Sequence, residues 1–246
     1  MSDLPWHQAF EHVKSHVVRI STPSGSGTGF LVSRSTVSNV IAIATAAHVI
    51  DHAQYWEQPI RVEHFESGKS LLLRHSDRAV FLEADRDTAA IVFGNSELPF
   101  PDFLIELGPE DKFLKVGCEL GWAGFPAVSN SNLCFFSGRV SAQRQHEHAY
   151  LVDGVAINGV SGGPAFFNGD GKLSLVGVVS AYIPNRATGT VLPGLSIIRD
   201  VSQFHNTAKT FKSLDEARAK QSEPQEPSPQ ENAPNQLLQP TRFPRG

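Results

Sequence analysis

Eleven short β-type runs, about ten residues apart and divided into two series by one proline-rich loop, constrain this chain most strongly. "HVVRIS", "TGFLVS", "VIAIAT", "PIRVEHF", "AVFLEA" and "TAAIVF" make up the first series. "LKVGCELGWAG", "NLCFFSGRVSAQ", "AYLVDGVAI", "KLSLVGVVSAYI" and "GTVLPGLSII" make up the second. Short β-branched and aromatic runs at this spacing, with glycine turns such as "SGSG" (24–27) and "ESG" (66–68) between them, are the pattern of a sandwich or barrel. The divider, "GNSELPFPDFLIELGPED" (94–111), carries three prolines. Two β series of similar length point to two barrels packed together, the first over about 16–100 and the second over about 112–199.

The ends of the chain read differently. Leu4, Phe10, Val13 and Val17 fall roughly on one helical face, which predicts a helix over 4–15. From Asp200, an N-cap candidate, "DVSQFHNTAKTFKSLDEARAKQ" predicts a second helix over 200–220, laid against the second barrel. Residues 221–246 are rich in Pro and Gln without periodicity, so disorder is expected there.

Composition excludes several classes. The 246 residues are 40% hydrophobic and 19% charged, with a net charge of −4 and a pI near 6.2. That balance offers no electrostatic footprint for nucleic acid. No apolar run approaches the roughly 20 residues needed to span a bilayer. The start lacks the basic and apolar regions of a secretory signal, so a cytoplasmic location is expected, with Cys118 and Cys134 as reduced thiols.

Within the second series, "INGVSGGPAFF" (157–167) places Ser161 among Gly159, Gly162, Gly163 and Pro164. Such a cluster is either a tight turn between strands or a loop that aims backbone N–H groups at a developing oxyanion. The second reading requires a base for the serine. "IATAAHVIDH" places His48 just after an apolar strand, and "EADRDTAAIVF" places Asp87 just before one. Singly, these residues read as a core histidine and a turn former; together, in the order His, Asp, Ser, they carry a nucleophilic mechanism. Rival motifs fit less well. "GVSGG" also matches the nucleophile elbow of α/β-hydrolases, but the following residues read as strand, turn and strand, and the later His205 lies in a helix. His48 and His52 have zincin spacing, but Val49 stands where the glutamate belongs. "HEH" at 146–148 reads as an exposed loop or strand edge, and neither a metal nor another cofactor is expected.

With "TAAHV" around His48, "DTAAIV" around Asp87, "GVSGGP" around Ser161, "GSGTGFLVS" (25–33) and "GLSII" (194–198), residues 5–205 resemble the trypsin-like (chymotrypsin-fold) serine proteases. They are most similar to the bacterial HtrA-type branch, without its PDZ domain. The resemblance implies an all-β fold of two six-stranded antiparallel barrels in a peptidase domain over 1–220, with the active site in the cleft between them. It implies His48, Asp87 and Ser161 as catalytic triad, and Gly159 and Ser161 as oxyanion hole. It places substrate-binding walls at Val155, Ala156 and Asn158 and at Ser180, Ala181 and Tyr182. Val155 corresponds to the pocket base that carries Asp in members cutting after Arg or Lys, so small or medium aliphatic P1 residues are expected. The implied partner is a protein or peptide substrate, with no nucleic acid and no membrane. An activating protein is left open, as is a non-catalytic module of this fold that binds a peptide or a partner protein. Val160 stands where secreted members have Asp and HtrA-type members have Asn, which leaves open what holds the oxyanion loop.

Overall fold

The computed structural model describes residues 4–222 apart from 96, 111, 130, 170 and 185–190. The Pro/Gln-rich stretch from 223 and the Tyr182 side chain lie outside the described residues. The chain opens with helix α1 (Trp6–Lys14) and continues into a first sheet. Its strands are β1 (Val17–Thr22), β2 (Gly25–Arg34), β3 (Val40–Thr45), β4 (Ile60–His64), β5 (Ser70–Leu73), β6 (Arg78–Glu83) and β7 (Thr88–Gly94), with helix α2 (Ala47–Tyr55) between β3 and β4. The strand order is β5-β4-β1-β2-β3-β7-β6, antiparallel throughout, which makes a seven-stranded half-barrel.

The second sheet holds β8 (Glu106–Leu107), β9 (Glu119–Gly124), β10 (Cys134–Arg144), β11 (Ala149–Asp153), β12 (Pro164–Gly169), β13 (Lys172–Pro184) and β14 (Val191–Asp200). Its order is β12-β9-β10-β11-β14-β13, and pairing of β12 with β13 closes these six strands into a barrel. Strand β8, from the dividing loop, adds in parallel to β13. The expected pair of β units is therefore present as one closed barrel and one half-barrel. Each has its own core, one around Leu31, Ile43 and Ile91 and the other around Leu120, Trp122 and Val152.

A third core joins the two units and explains the helices. Strand β2 is buried on both faces from Gly27 to Ser33. Leu31 points into the half-barrel, while Phe30 and Val32 need cover from outside. Helix α3 (Ser202–Ser222) supplies it with Phe204 and Phe211, and the Phe204 and Phe30 rings meet edge-on with centroids 6.3 Å apart. The last helix therefore packs on β2 and β7 of the half-barrel and not against the second barrel as expected. Helix α1 does the reverse. Trp6 lies against Phe135 and Phe166 of the second barrel, at centroid distances of 5.7 and 6.0 Å. Each terminal helix thus covers the unit further from it in sequence. Asp200 serves the start of α3 as expected, its Oδ1 accepting from the Ser202 N–H at 3.0 Å and from the Ser202 hydroxyl at 2.6 Å.

Candidate active site

His48 stands in the first turn of α2, where a helix leaves its N–H groups without internal partners. That N–H donates to Oδ1 of Asp87 at 3.0 Å, and the ring Nδ1 lies 2.9 Å from each Asp87 carboxylate oxygen. Asp87 closes a short turn, Ala84–Arg86, in a left-handed conformation (φ 49°, ψ 45°) that Asp tolerates better than most residues. The turn swings its carboxylate back toward α2, and a third donor, the Ser180 hydroxyl on β13, reaches Oδ2 at 2.5 Å.

These contacts set the electrostatics. Burial acts to raise the Asp87 pKa, but hydrogen bonds from the His48 ring, the Ser180 hydroxyl and the His48 N–H outweigh it and hold the carboxyl below its ordinary range. The hydrogen bond that the His48 ring donates to Asp87 raises the pKa of His48, against the opposing effect of burial. One nitrogen of the ring is bound to Asp87, which leaves Nε2 as the atom able to take a proton.

Ser161 sits in the turn between β11 and β12. Thr28 N–H donates to its carbonyl at 2.8 Å, Gly162 N–H donates to Val179 O at 2.7 Å, and Val179 N–H returns to Gly163 O at 3.0 Å. Among the described residues nothing accepts from the N–H of Gly159 or of Ser161, so two donors stand ready beside the serine. Two glycines are required by the backbone. Gly159 has φ +91° and a Cβ there would lie 2.2 Å from Phe125 O; Gly162 has φ +84° and its Cβ would lie 2.1 Å from Thr28 O.

The Ser161 hydroxyl itself donates to the carbonyl of Ser180 at 3.3 Å, and among the described residues no hydrogen bond joins it to His48. Ser180, which the sequence places in a substrate wall, thus meets two members of the set: its hydroxyl is on Asp87 and its carbonyl is on Ser161.

The loop is held without Asp or Asn at 160. Val160 is buried in the second-barrel core, against Gly124. Thr28 does the polar work: its hydroxyl donates to Gly159 O at 2.8 Å and accepts from Phe125 N–H at 3.1 Å. Ala127 N–H holds Asn158 O at 2.7 Å. Thr28 lies inside the quoted "GSGTGFLVS", but nothing local in that run marks one threonine as the partner of a loop 131 residues away.

The remaining expected wall residues differ in exposure. Val155 is 48% exposed, with its carbonyl accepting from Trp122 Nε1 at 3.2 Å, whereas Ala156 is buried and Ala181 half-buried. The "HEH" run forms a turn ending at His148, whose Nδ1 pairs with Asp200 Oδ2 at 3.2 Å. His205 is bound to Gly108 O at 2.7 Å, and His52 lies beside Trp56. Among the described residues no group of three or more His, Cys, Asp or Glu side chains is placed to hold a metal ion. Cys118 and Cys134 are free thiols, and among the described residues no helix is long and apolar enough to cross a membrane.

Residues 27–178 match the family model for the trypsin-like peptidase domain. Two solved structures share the architecture. One is a serine endoprotease from Yersinia pestis, 19% identical over 88% of this chain and 68% of the other, with a TM-score of 0.60. The other is Rv3671c from M. tuberculosis H37Rv, a serine-to-alanine mutant in an inactive form, 16% identical over 92% of this chain and 98% of the other, with a TM-score of 0.55. No curated protein matches the sequence.

Proposed function

Because the chain belongs to the trypsin-like peptidase family, we propose that it is a serine endopeptidase in which His48, Asp87 and Ser161 form the catalytic triad. The observation that carries this reading is that Ser180 binds both Ser161 and Asp87, and Asp87 in turn holds the His48 ring, which links elements of both sheets.

The steps follow from the chemistry of the groups. A peptide carbonyl enters beside Ser161, and the Ser161 hydroxyl turns from Ser180 O to His48 Nε2. Neutral His48 takes its proton as Oγ attacks the carbonyl carbon. Asp87 holds the ring in the tautomer with the proton on Nδ1 and stabilises the imidazolium that forms. The oxyanion lies between the N–H groups of Gly159 and Ser161, a type of contact worth about 3–4 kcal/mol per donor. His48 then gives its proton to the leaving amine, and water, activated by the same ring, hydrolyses the acyl-enzyme. P1 preference is for small or medium aliphatic residues. The segments 154–160 and 176–182 carry no charged side chain, so a buried Arg or Lys would lack a counter-charge.

A second reading, a non-catalytic binding module of this fold, draws on the Ser161 hydroxyl resting on Ser180 O instead of on His48. A fluorophosphonate probe separates the two, since an activated serine attacks phosphorus and expels fluoride. Labelling at Ser161, lost in Ser161→Ala and strongly slowed in His48→Ala, is the expected result. An unlabelled wild-type protein overturns the peptidase reading and leaves the module.

A further inference from the structure

A cavity of about 220 Å³ opens at one end of the closed barrel, and none of His48, Asp87 or Ser161 lines it. Its walls come from the end of the dividing loop (Gly108, Pro109) and the residues just after it (Lys112, Phe113, Leu114), from Tyr150 on β11, from the β12–β13 hairpin and from the root of α3. Phe113, Leu114, Phe167, Val176 and Val201 make most of it apolar. The polar groups are few, and their hydrogen bonds determine what they can still accept or donate.

Asp200 is occupied. Its Oδ1 takes the Ser202 N–H and hydroxyl, and its Oδ2 takes His148 Nδ1. Lys172 pairs with Glu106. Three donors remain. Lys112 makes no ion pair or hydrogen bond among the described residues, and neither does the hydroxyl of Ser174, which also lines the cavity. Tyr150, 3% exposed, accepts the Leu114 N–H at 3.3 Å, but among the described residues nothing accepts its own O–H. Burial pushes the Tyr150 pKa up to about 12, so the phenol keeps that proton at neutral pH. Lys112 lies two residues before Leu114, whose N–H binds the Tyr150 oxygen, and both Lys112 and Tyr150 line the cavity.

An apolar chamber with, among the described residues, one unpaired ammonium and two hydroxyl donors lacking an acceptor is complementary to an amphipathic anion. For size, a cavity of about 150 Å³ takes up benzene, so 220 Å³ corresponds to about nine non-hydrogen atoms. We propose that this cavity is a binding site for a small aromatic or branched aliphatic monocarboxylate, its carboxylate held by Lys112 and the Tyr150 hydroxyl and its body on Phe113 and Phe167.

The test uses the full chain as Ser161→Ala, and the Lys112→Ala change, made at a residue of the cavity and not of the proposed active site, tells binding here from binding there. Calorimetric titration with benzoate, and with neutral benzamide of the same shape, is expected to give saturable benzoate binding below about 10 mM and benzamide at least about tenfold weaker. Lys112→Ala, an exposed substitution that leaves the barrel intact, is expected to weaken benzoate about tenfold. Tyr150→Phe is expected to do the same if its melting curve shows it folded. Absence of saturable benzoate binding, equal binding of benzamide, or an undiminished affinity in Lys112→Ala overturns the proposal.

Discussion

The Ser180 hydroxyl donates to Oδ2 of Asp87 at 2.5 Å, while the carbonyl of the same residue accepts from the Ser161 hydroxyl at 3.3 Å. One β13 residue therefore orients the carboxylate through its side chain and holds the serine through its backbone. The two roles are separable by mutation. Ser180→Ala keeps the carbonyl and removes one of the three donors on Asp87. Hydrogen bonds to charged groups contribute about 1.5–3 kcal/mol, so kcat is expected to fall about 10- to 100-fold with KM little changed. Steady-state kinetics on a peptide substrate check this, and an equal rise in KM without loss of kcat would place Ser180 in substrate binding alone.

Activity is expected to rise with pH through the pKa of His48, which Asp87 lifts above the ordinary value of about 6.5. Asp87→Asn removes the charge that lifts it. The limb of kcat/KM against pH should then move to lower pH while kcat falls by about 10⁴, as in related triads. A limb that stays in place would mean that another group titrates.

The same pair has a signature in stability. His48 has its pKa raised on folding, so its contribution is fully present below about pH 6.5 and is lost as pH climbs through the raised value. Asp87 has its pKa lowered, so its contribution is present above about pH 3.9 and is lost as pH falls through the lowered value. The difference in Tm between wild type and His48→Ala is therefore expected to be largest between about pH 4 and 6.5. A difference that is flat with pH would show that the two groups are uncoupled.

Thr28→Val keeps shape and removes the hydroxyl that serves Gly159 O and Phe125 N–H. Leaving buried groups unpaired costs about 1–3 kcal/mol, readable as a lower urea midpoint. The oxyanion loop loses its polar anchor in the same step, so kcat should fall beyond what lower stability explains. Gly159→Ala strikes the same loop directly. Its Cβ meets the Phe125 carbonyl at a φ of +91°, so the N–H turns away and kcat drops by about 10²–10³. Retained activity in Gly159→Ala would remove that N–H from the mechanism.

Phe204→Ala tests the placement of the last helix. Phe204 is fully buried against Phe30, and a Phe-to-Ala change at such a position costs about 3–5 kcal/mol. Hydrogen exchange should then report loosening of β2 and β7 ahead of β10 and β11. Loosening of β10 and β11 first would return the helix to the second barrel.

What the sequence determined by itself is whatever short-range pattern controls. Alternation and turn residues define the strands, and the apolar faces and Asp200 mark the terminal helices. The runs around His48, Asp87 and Ser161 mark three candidate residues because each depends on its immediate neighbours: a helix start, a left-handed turn and a glycine-rich loop. Only the tertiary structure decided the rest, because those contacts join residues far apart. Thr28 and Gly159 are 131 residues apart, and Ser180 and Asp87 are 93 apart. No local propensity encodes a hydroxyl's choice of partner across such distances. The exchange of the two terminal helices has the same origin: β2 is buried on both faces, and which helix covers its outer face is settled by how the two β units pack. A periodic run of residues shows that a helix has an apolar face; the surface it covers is chosen by shape and buried area, which exist only once both β units have formed.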